Sequence, residues 1–282
     1  MDRLPDELLR ETLSYNLLIP HAEFLYYHDR FDDDPPAPRP ARLLRVSKRW
    51  LRTGTPLLYE CVRLRTPAHT AAVAQLFRAH PRVAQGVRCL RLEGGLGKDL
   101  VHVAKYTTGL RCLYVDLQIK SVHSIAGLEK ALPLLKPVEL YIREETYRDN
   151  KTIIEARTIL YSHIRSSAWS SLRTVSLSEK FHRLMPLEEF TQALEKSSIE
   201  ELACDADDVQ HLIADDTMQS FVEPPSLKRV VCRGITEEES MRALLKEKRW
   251  PQKTVRKFTF VHSGTKDERR LLWREIIEMP TL

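Results

Sequence analysis

The chain has 282 residues, a formal net charge of +5 at neutral pH, and a composition that is 43% hydrophobic and 29% charged. This balance is typical of a globular protein with a buried core, and it excludes a wholly disordered chain. No apolar run reaches the roughly 18 residues that a membrane-spanning helix needs. The opening MDRLPDELLR lacks the basic head and long apolar stretch of a signal peptide, so we expect a cytoplasmic or nuclear protein, or one found in both.

The first predicted element is a short helix in the segment LPDELLRETLSYNLL, residues 4–18. Pro5 suits a first helical turn, because a backbone N–H has no partner there in any case. Asp6 and Glu7 place negative charge at the positive end of the helix dipole. Leucines recur every four residues and make one face of the helix apolar; they are Leu9, Leu13 and Leu17, with Leu8 beside them.

A loop and a second helix follow. FDDDPPAPRP is acidic and then rich in proline, so residues 19–41 are predicted to form an exposed inserted loop. The next segment, up to residue 60, is predicted to be helical, and TGTP at 53–56 is predicted to end the helix. Its apolar face would carry Leu43, Val46 and Trp50. Residues 1–60 are therefore predicted to form a small helical unit that contains the loop.

Beyond this unit, one apolar pattern recurs along the chain. Each segment has apolar residues at its first, fourth and sixth positions, and one segment fits more loosely because Pro137 lies inside it. The first positions of successive segments are 23 to 37 residues apart. They are Tyr59, Val87, Leu110, Leu135, Leu172, Ile199, Leu227 and Val255. Helix-like stretches such as TAAVAQLFRAH lie between the segments.

A short strand and a helix that recur at this interval are typical of a leucine-rich-repeat solenoid. Each unit must stack on its neighbours, because it cannot bury its apolar face alone. The predicted fold class is α/β: a helical unit at 1–60, then a solenoid of short parallel strands and helices at 61–282. The repeats would be degenerate, because the asparagine that often follows the strand is missing, and residues 143–171 would form an enlarged helical insert. An ordinary α/β domain with irregular strand spacing is the alternative.

No segment carries a recognisable catalytic, cofactor or metal motif. The loop EGGLGKD at 93–99 has Leu92 and Asp99 where a phosphate loop needs glycine and a hydroxyl, so a glycine turn is favoured. Residues 205–208 are predicted to start a helix rather than to bind calcium. The ten histidines lack zinc-site spacing, and the five cysteines, without any CxxC pair, indicate reduced structural thiols. We therefore expect a non-catalytic protein without a metal or cofactor.

The N-terminal unit resembles the F-box motif, in which Leu-Pro-x-Glu-Leu-Leu opens a helix and Leu-x-x-Val-x-(Lys/Arg)-x-Trp follows. Ser47 stands where the family usually has Cys. The loop at 19–41 is longer than usual and is similar to insertions in fungal (mushroom-type) F-box proteins. The matching residues are Leu4, Pro5, Glu7, Leu8, Leu9, Leu13, Leu44, Val46, Ser47, Lys48, Arg49, Trp50, Leu57, Leu58 and Tyr59.

In that family the F-box binds the Skp-type adaptor of a cullin–RING ubiquitin ligase, and C-terminal repeats hold a protein substrate. The resemblance implies a non-catalytic substrate-recognition subunit, with a cullin reached through the adaptor. The implied adaptor contacts are Leu4, Pro5, Leu8, Leu9, Leu13 and Trp50. One alternative is a repeat scaffold without ligase function, whose N-terminal helices cap the solenoid. Another is a nucleic-acid-binding protein that uses the basic stretch at 246–257, where a solvated surface is favoured.

Side chains alternate between the two faces of a strand, so the residues between the apolar positions should lie on the second, concave face of the sheet. This face is predicted to be polar and mixed in sign. It would display Arg91, Glu93, Tyr114, Asp116, Glu139, Tyr141, Thr174, Ser176, Glu201, Asp205, Arg229, Arg233, Lys257 and Thr259. Tyr and Arg often anchor interfaces, so the predicted substrate-binding residues are Tyr114, Tyr141, Arg229 and Arg233. The insert at 143–171 is the alternative site.

Overall fold

The structure, a computed structural model, describes residues 4–19, 24, 40–94, 96–120, 123–144, 150–178, 181, 186–215, 217–235 and 238–262. Its α-helices are α1 (Asp6–Leu17), α2 (Lys48–Leu58), α3 (Pro67–Ala79), α4 (Pro81–Gln85), α5 (Leu100–Tyr106), α6 (Ala126–Ala131), α7 (Lys151–Arg165), α8 (Leu187–Glu195), α9 (Ala206–Ala214), α10 (Met218–Val222), α11 (Glu238–Glu247) and α12 (Gln252–Val255). The strands are β1 (Cys61–Leu64), β2 (Cys89–Glu93), β3 (Cys112–Asp116), β4 (Glu139–Arg143), β5 (Thr174–Leu177), β6 (Glu201–Asp205), β7 (Arg229–Ile235) and β8 (Phe258–His262). Short 3-10 turns lie at Pro40–Arg45, Leu132–Leu134 and Ser167–Trp169.

The described strands form one eight-stranded sheet in which each strand pairs with the next along the chain. Every pairing is parallel. A parallel connection must cross over between strands, and helices lie in each of these crossovers. The α/β class and the short parallel strands are therefore confirmed. Strand order that follows chain order is compatible with the predicted solenoid.

The apolar pattern also fixes the register of the sheet. One row of side chains crosses all eight strands and is buried throughout. It consists of Val62, Leu90, Leu113, Leu140, Val175, Leu202, Val230 and Phe258. These residues belong to the main hydrophobic core, which also contains the inward faces of the helices that follow the strands. We call this side of the sheet the core face.

The helices pack against one another along the core face. Contacts join α3 to α5, α5 to α6, and α7 to α8. The insert predicted at 143–171 contains α7, which at 15 residues is the longest of the described helices. Asn150 caps this helix by accepting a hydrogen bond from the N–H of Ile153 at 3.0 Å. The prediction of an enlarged helical insert is confirmed for the described residues.

The second helix of the N-terminal unit differs from the prediction. It begins at Lys48, after a turn, and continues through TGTP at 53–56 to end at Leu58. Pro56 removes one backbone donor near the end of the helix. Gly54 lies against α1, where an added Cβ would be 2.4 Å from Leu44 Cδ2 and 2.9 Å from Leu17 Cδ1. Tertiary packing of the two helices therefore overrides the local signal to stop.

None of the helices in the described part of the chain combines the length and the apolarity needed to cross a membrane.

Candidate functional site

The N-terminal unit has a hydrophobic core of its own. This second core consists of Leu9, Leu13, Leu17, Leu44 and Leu57 and shares no residue with the main core. The apolar face predicted for α1 is thus confirmed for Leu9, Leu13 and Leu17, which pack inside the unit, but Leu8, predicted beside them, is exposed. Leu9 and Leu13, which the motif resemblance placed at an adaptor surface, are therefore buried and not available for direct contact. Trp50 is partly buried against the same core.

Other apolar side chains of this unit face outward. In the described part of the chain, eight large hydrophobic side chains are exposed, and six of them lie between Leu4 and Leu51, in the N-terminal unit. They are Leu4, Leu8, Tyr15, Ile19, Val46 and Leu51. Leu8 and Tyr15 are seven residues apart, so they share one face of α1, opposite its buried leucines. Of the predicted adaptor contacts, Leu4, Pro5 and Leu8 are exposed.

Sequence reasoning missed Tyr15, which is 81% exposed, as well as Ile19 and Leu51. The signal that could have found Tyr15 is its seven-residue spacing from Leu8. Val46 was expected on the apolar face with Leu43 and Trp50, yet it is exposed. The reason is that the chain breaks between the 3-10 turn and α2, so the three residues do not belong to one helix.

Ion pairs hold the start of α1 against α2. Asp6 accepts a hydrogen bond from Arg49 Nε at 2.7 Å and another from Arg52 Nη2 at 2.9 Å. Arg49 also donates to the main-chain carbonyl of Leu4. The hydrogen bond from Arg49 is the main cause that lowers the pKa of the Asp6 carboxyl. Ser47, the departure from the F-box pattern, is the N-cap of α2 and accepts from the N–H of Trp50 at 3.2 Å.

The second face of the sheet carries a row of side chains that is polar or aromatic on six strands, but on β6 and β7 it consists of Ala203 and Val231, which are apolar and buried and were not predicted. Arg63, Arg91, Tyr114, Tyr141, Ser176, Ala203, Val231 and Thr259 stand in register across the eight strands. The assignment of residues to this face is therefore confirmed. Their exposure was predicted wrongly, because Arg91, Tyr114, Tyr141 and Ser176 are buried.

Of the four predicted substrate-binding residues, Tyr114 and Tyr141 lie together. Their rings are stacked with centroids 6.4 Å apart. Arg229 and Arg233 lie on β7, three strands from Tyr141 on β4. Arg229 is partly exposed and pairs with Glu201 on β6. Arg233 is buried and donates to the main-chain carbonyl of Leu177. The structure thus brings the two tyrosines into one site and leaves the two arginines apart from it.

A residue of the inserted loop covers the tyrosines. Phe24 is only 4% exposed and packs in a cluster with Cys89, Cys112, Tyr114 and Tyr141. Its main-chain carbonyl accepts a hydrogen bond from Arg91 Nη1 at 2.7 Å. We call this group of residues on β2, β3 and β4 the Arg91 site; it consists of Cys89, Arg91, Cys112, Tyr114 and Tyr141.

Neighbouring groups hold Arg91 in place. Its guanidinium carbon lies 4.0 Å from the centre of the Tyr114 ring, and its Nε donates to Glu93 Oε1 at 2.5 Å. Glu93 accepts a second hydrogen bond from Arg63 at 2.6 Å. Burial alone would raise the pKa of Glu93, but Arg63 and Arg91 outweigh burial and lower it. Glu93 therefore stays ionised and fixes the direction of the buried guanidinium.

Two thiols of this site, those of Cys89 and Cys112, have a third beside them, that of Cys61. Cys61, Cys89 and Cys112 stand side by side on β1, β2 and β3. In the sequence they are one repeat apart, so no short motif links them. Hydrogen bonding to Cys89, followed by burial, raises the pKa of Cys61 and of Cys112. Protonated thiols are poor nucleophiles. In the described residues, no group of three or more His, Cys, Asp or Glu side chains could hold a metal ion.

The remaining motifs have structural roles. Between β2 and α5, Gly94 and Gly97 have positive φ, as expected for a glycine turn, and Gly95 lies outside the described residues. Asp205 precedes α9, as predicted for a helix start. In the basic stretch, Lys248 donates to the carbonyl of Ala214 at 2.8 Å, and Lys257 donates to that of Val222 at 2.6 Å. These two lysines therefore bind the C-terminal ends of helices.

A scan against models of protein families finds no match to this chain, and a search of curated proteins finds none either. The functional argument therefore depends on the residues and on their geometry.

Proposed function

We propose that this chain is the substrate-recognition subunit of a cullin–RING ubiquitin ligase. Its N-terminal unit acts as an F-box that binds a Skp-type adaptor and, through it, a cullin. The sheet and its helices act as a degenerate leucine-rich-repeat-like solenoid that binds a protein substrate. The subunit is non-catalytic, uses no cofactor and works in the cytoplasm or nucleus.

The concentration of exposed apolar side chains on the N-terminal unit is the observation that carries this proposal. Clusters of exposed apolar residues mark sites of protein interaction. Helices that only capped the solenoid would turn their apolar faces to its first repeat. Here Leu9 and Leu13 pack in a separate core of the unit, and Leu8 and Tyr15 face outward. This arrangement favours a partner-binding unit over a cap.

The structure also revises the set of proposed adaptor contacts. Leu4, Pro5 and Leu8 remain as direct contacts, and Tyr15, Val46 and Leu51 join them because they are exposed on the same unit. Leu9 and Leu13 support these contacts from the core. Asp6 and Arg49 contribute by fixing the start of α1, which carries Leu8, against α2.

The decisive experiment is capture of a purified Skp-type adaptor by the full chain and two variants. Leu8→Asp should weaken capture at least tenfold, because it removes an apolar contact worth about 1.5–3 kcal/mol and places a charge in the interface. Leu134→Asp is the matched control, since Leu134 is 45% exposed, against 48% for Leu8, and lies among the repeats. Wild-type capture by a folded Leu8→Asp chain, or equal loss in both variants, would contradict the proposal.

A further inference from the structure

We infer that the Arg91 site recognises an aromatic side chain in a protein segment, and that Phe24 of the inserted loop occupies this site as an internal ligand. This inference rests on the proposed function, because it names the class of substrate that the repeats would bind. The partner it fits is a protein segment that presents one aromatic side chain beside an accessible main-chain carbonyl.

The first support is the way in which Phe24 is held. Phe24 belongs to one cluster of buried side chains with Cys89, Cys112, Tyr114 and Tyr141. Aromatic rings and neutral thiols form an apolar surface that suits another aromatic ring. The surface is therefore shaped to accept a ring from outside the sheet.

The second support is the hydrogen bond between Arg91 and the Phe24 carbonyl. Arg91 is fully buried, yet one of its nitrogens reaches the main chain of a residue 67 positions away. Glu93 and the Tyr114 ring hold the guanidinium in this direction. A buried charge is costly unless it is paired and hydrogen-bonded. The site thus offers a donor, already oriented, for the carbonyl of whichever segment lies on it.

The third support is that Phe24 lies outside both of the other hydrophobic cores. The cluster that contains Phe24 shares no residue with the main core or with the core of the N-terminal unit. Removing the Phe24 ring would leave both cores complete. A substrate segment that makes the same two contacts would therefore displace Phe24 without disturbing either core.

The probe for this inference is a fluorescent synthetic peptide with the sequence of residues 19–30, IPHAEFLYYHDR. It should bind the full chain carrying Phe24→Ala. It should bind the wild-type chain roughly tenfold or more weakly, because the tethered Phe24 competes at a high effective concentration. The same peptide with alanine in place of its phenylalanine is the control and should not bind. Equal affinity for the two chains, equal affinity of the two peptides, or no binding to the Phe24→Ala chain would overturn the inference.

Alkylation of cysteines, read by mass spectrometry, gives a second measurement on the same proteins. Phe24→Ala should speed alkylation of Cys89 and Cys112, and the wild-type peptide should slow it again. Cys204 and Cys232 belong to the core face, so they report whether the variant remains folded. Faster alkylation at all four cysteines would show that the Phe24→Ala chain is unfolded. In that case Phe24→Leu, which keeps an apolar side chain, would take the place of Phe24→Ala in the peptide assay. Unchanged alkylation of Cys89 and Cys112 in a folded Phe24→Ala chain would also overturn the inference.

Adaptor capture separates failure of this inference from failure of the proposed function. Phe24→Ala leaves Leu8 and the other exposed apolar residues of the N-terminal unit in place, so its adaptor capture should equal that of the wild type. Normal adaptor capture without peptide binding rejects only the recognition site. Specific peptide binding without adaptor capture rejects the ligase function and leaves an aromatic-binding repeat protein.

Discussion

Leu8 and Leu9 are neighbours in the chain and point about 100° apart around α1, and Leu8 is 48% exposed whereas Leu9 is 3% exposed. Leu9→Ala should lower the free energy of unfolding of the N-terminal unit by about 2–5 kcal/mol, since it opens a cavity in the core. Leu8→Ala should change it by less than about 0.5 kcal/mol. Hydrogen exchange of α1 amides measures both, and equal effects would contradict the separation of roles.

This separation also decides how adaptor binding is tested. A charge at Leu9 would unfold the unit, so loss of binding in Leu9→Asp would carry no information about the interface. A charge at Leu8 leaves the core intact. Leu8→Asp is therefore the informative variant, and the motif alone does not distinguish the two leucines.

Gly54→Ala should destabilise the N-terminal unit, although the same change usually stabilises a helix interior by about 0.5–1 kcal/mol. The new Cβ would be 2.4 Å from Leu44 Cδ2 and 2.9 Å from Leu17 Cδ1, so both side chains must move. Overpacking of this kind costs about 1–3 kcal/mol and should outweigh the gain in helix propensity. Denaturant unfolding followed at Trp50 measures the change.

A double variant tests the proposed cause. Leu44→Ala on its own should also destabilise the unit, because it removes a buried side chain. If the clash at Gly54 is responsible, Gly54→Ala should cost less in the presence of Leu44→Ala than in the wild type. Strict additivity of the two changes would show that the cost arises elsewhere.

The sequence predicted which face of each strand meets the core, because side chains alternate along a strand. Val62 and Leu90, at the fourth positions of two successive apolar segments, stand opposite each other in the sheet. The end of α2 was not predictable from local residues, since Gly54 is held in the helix by leucines of α1 and of the preceding turn. Phe24 was not predictable either, because its contact with Arg91 joins residues 67 positions apart and follows no periodic pattern.

The exposed apolar surface of the N-terminal unit was predictable from the sequence only in part. Helical periodicity was enough to assign Leu9 and Leu13 to one apolar face. It was not enough to decide whether that face meets its own core or a partner, because both arrangements need apolar residues at the same spacing. Only the packing of α1 on α2 resolves this question, and it places Leu8 and Tyr15 outside.

Arg157 and Glu144 form an ion pair that is buried between α7 and the end of β4. Arg157→Met should lower the free energy of unfolding by about 3–5 kcal/mol, because it leaves the Glu144 carboxylate buried without the guanidinium. Glu144→Met combined with Arg157→Met should recover much of this loss, since no buried charge of the pair then remains. Urea unfolding monitors all three chains. A double variant as unstable as the single one would contradict this account.

His163 should make stability depend on pH near neutrality. Burial lowers the pKa of His163 below its usual value of 6.5, so the folded chain favours the neutral ring. When the pH falls below 6.5, the unfolded chain takes up the proton first, and the free energy of unfolding decreases until the pH passes the folded pKa. One proton gives a slope of at most about 1.4 kcal/mol per pH unit.

His163→Phe keeps an aromatic ring against Trp169, whose ring centre lies 5.6 Å away, and removes the titration. The stability of this variant relative to the wild type should therefore rise as the pH falls from 7 to 5, with contributions from the other histidines cancelling in the difference. Denaturant melts at several pH values measure it, and parallel pH profiles for the two chains would show that His163 does not titrate differently in the folded state.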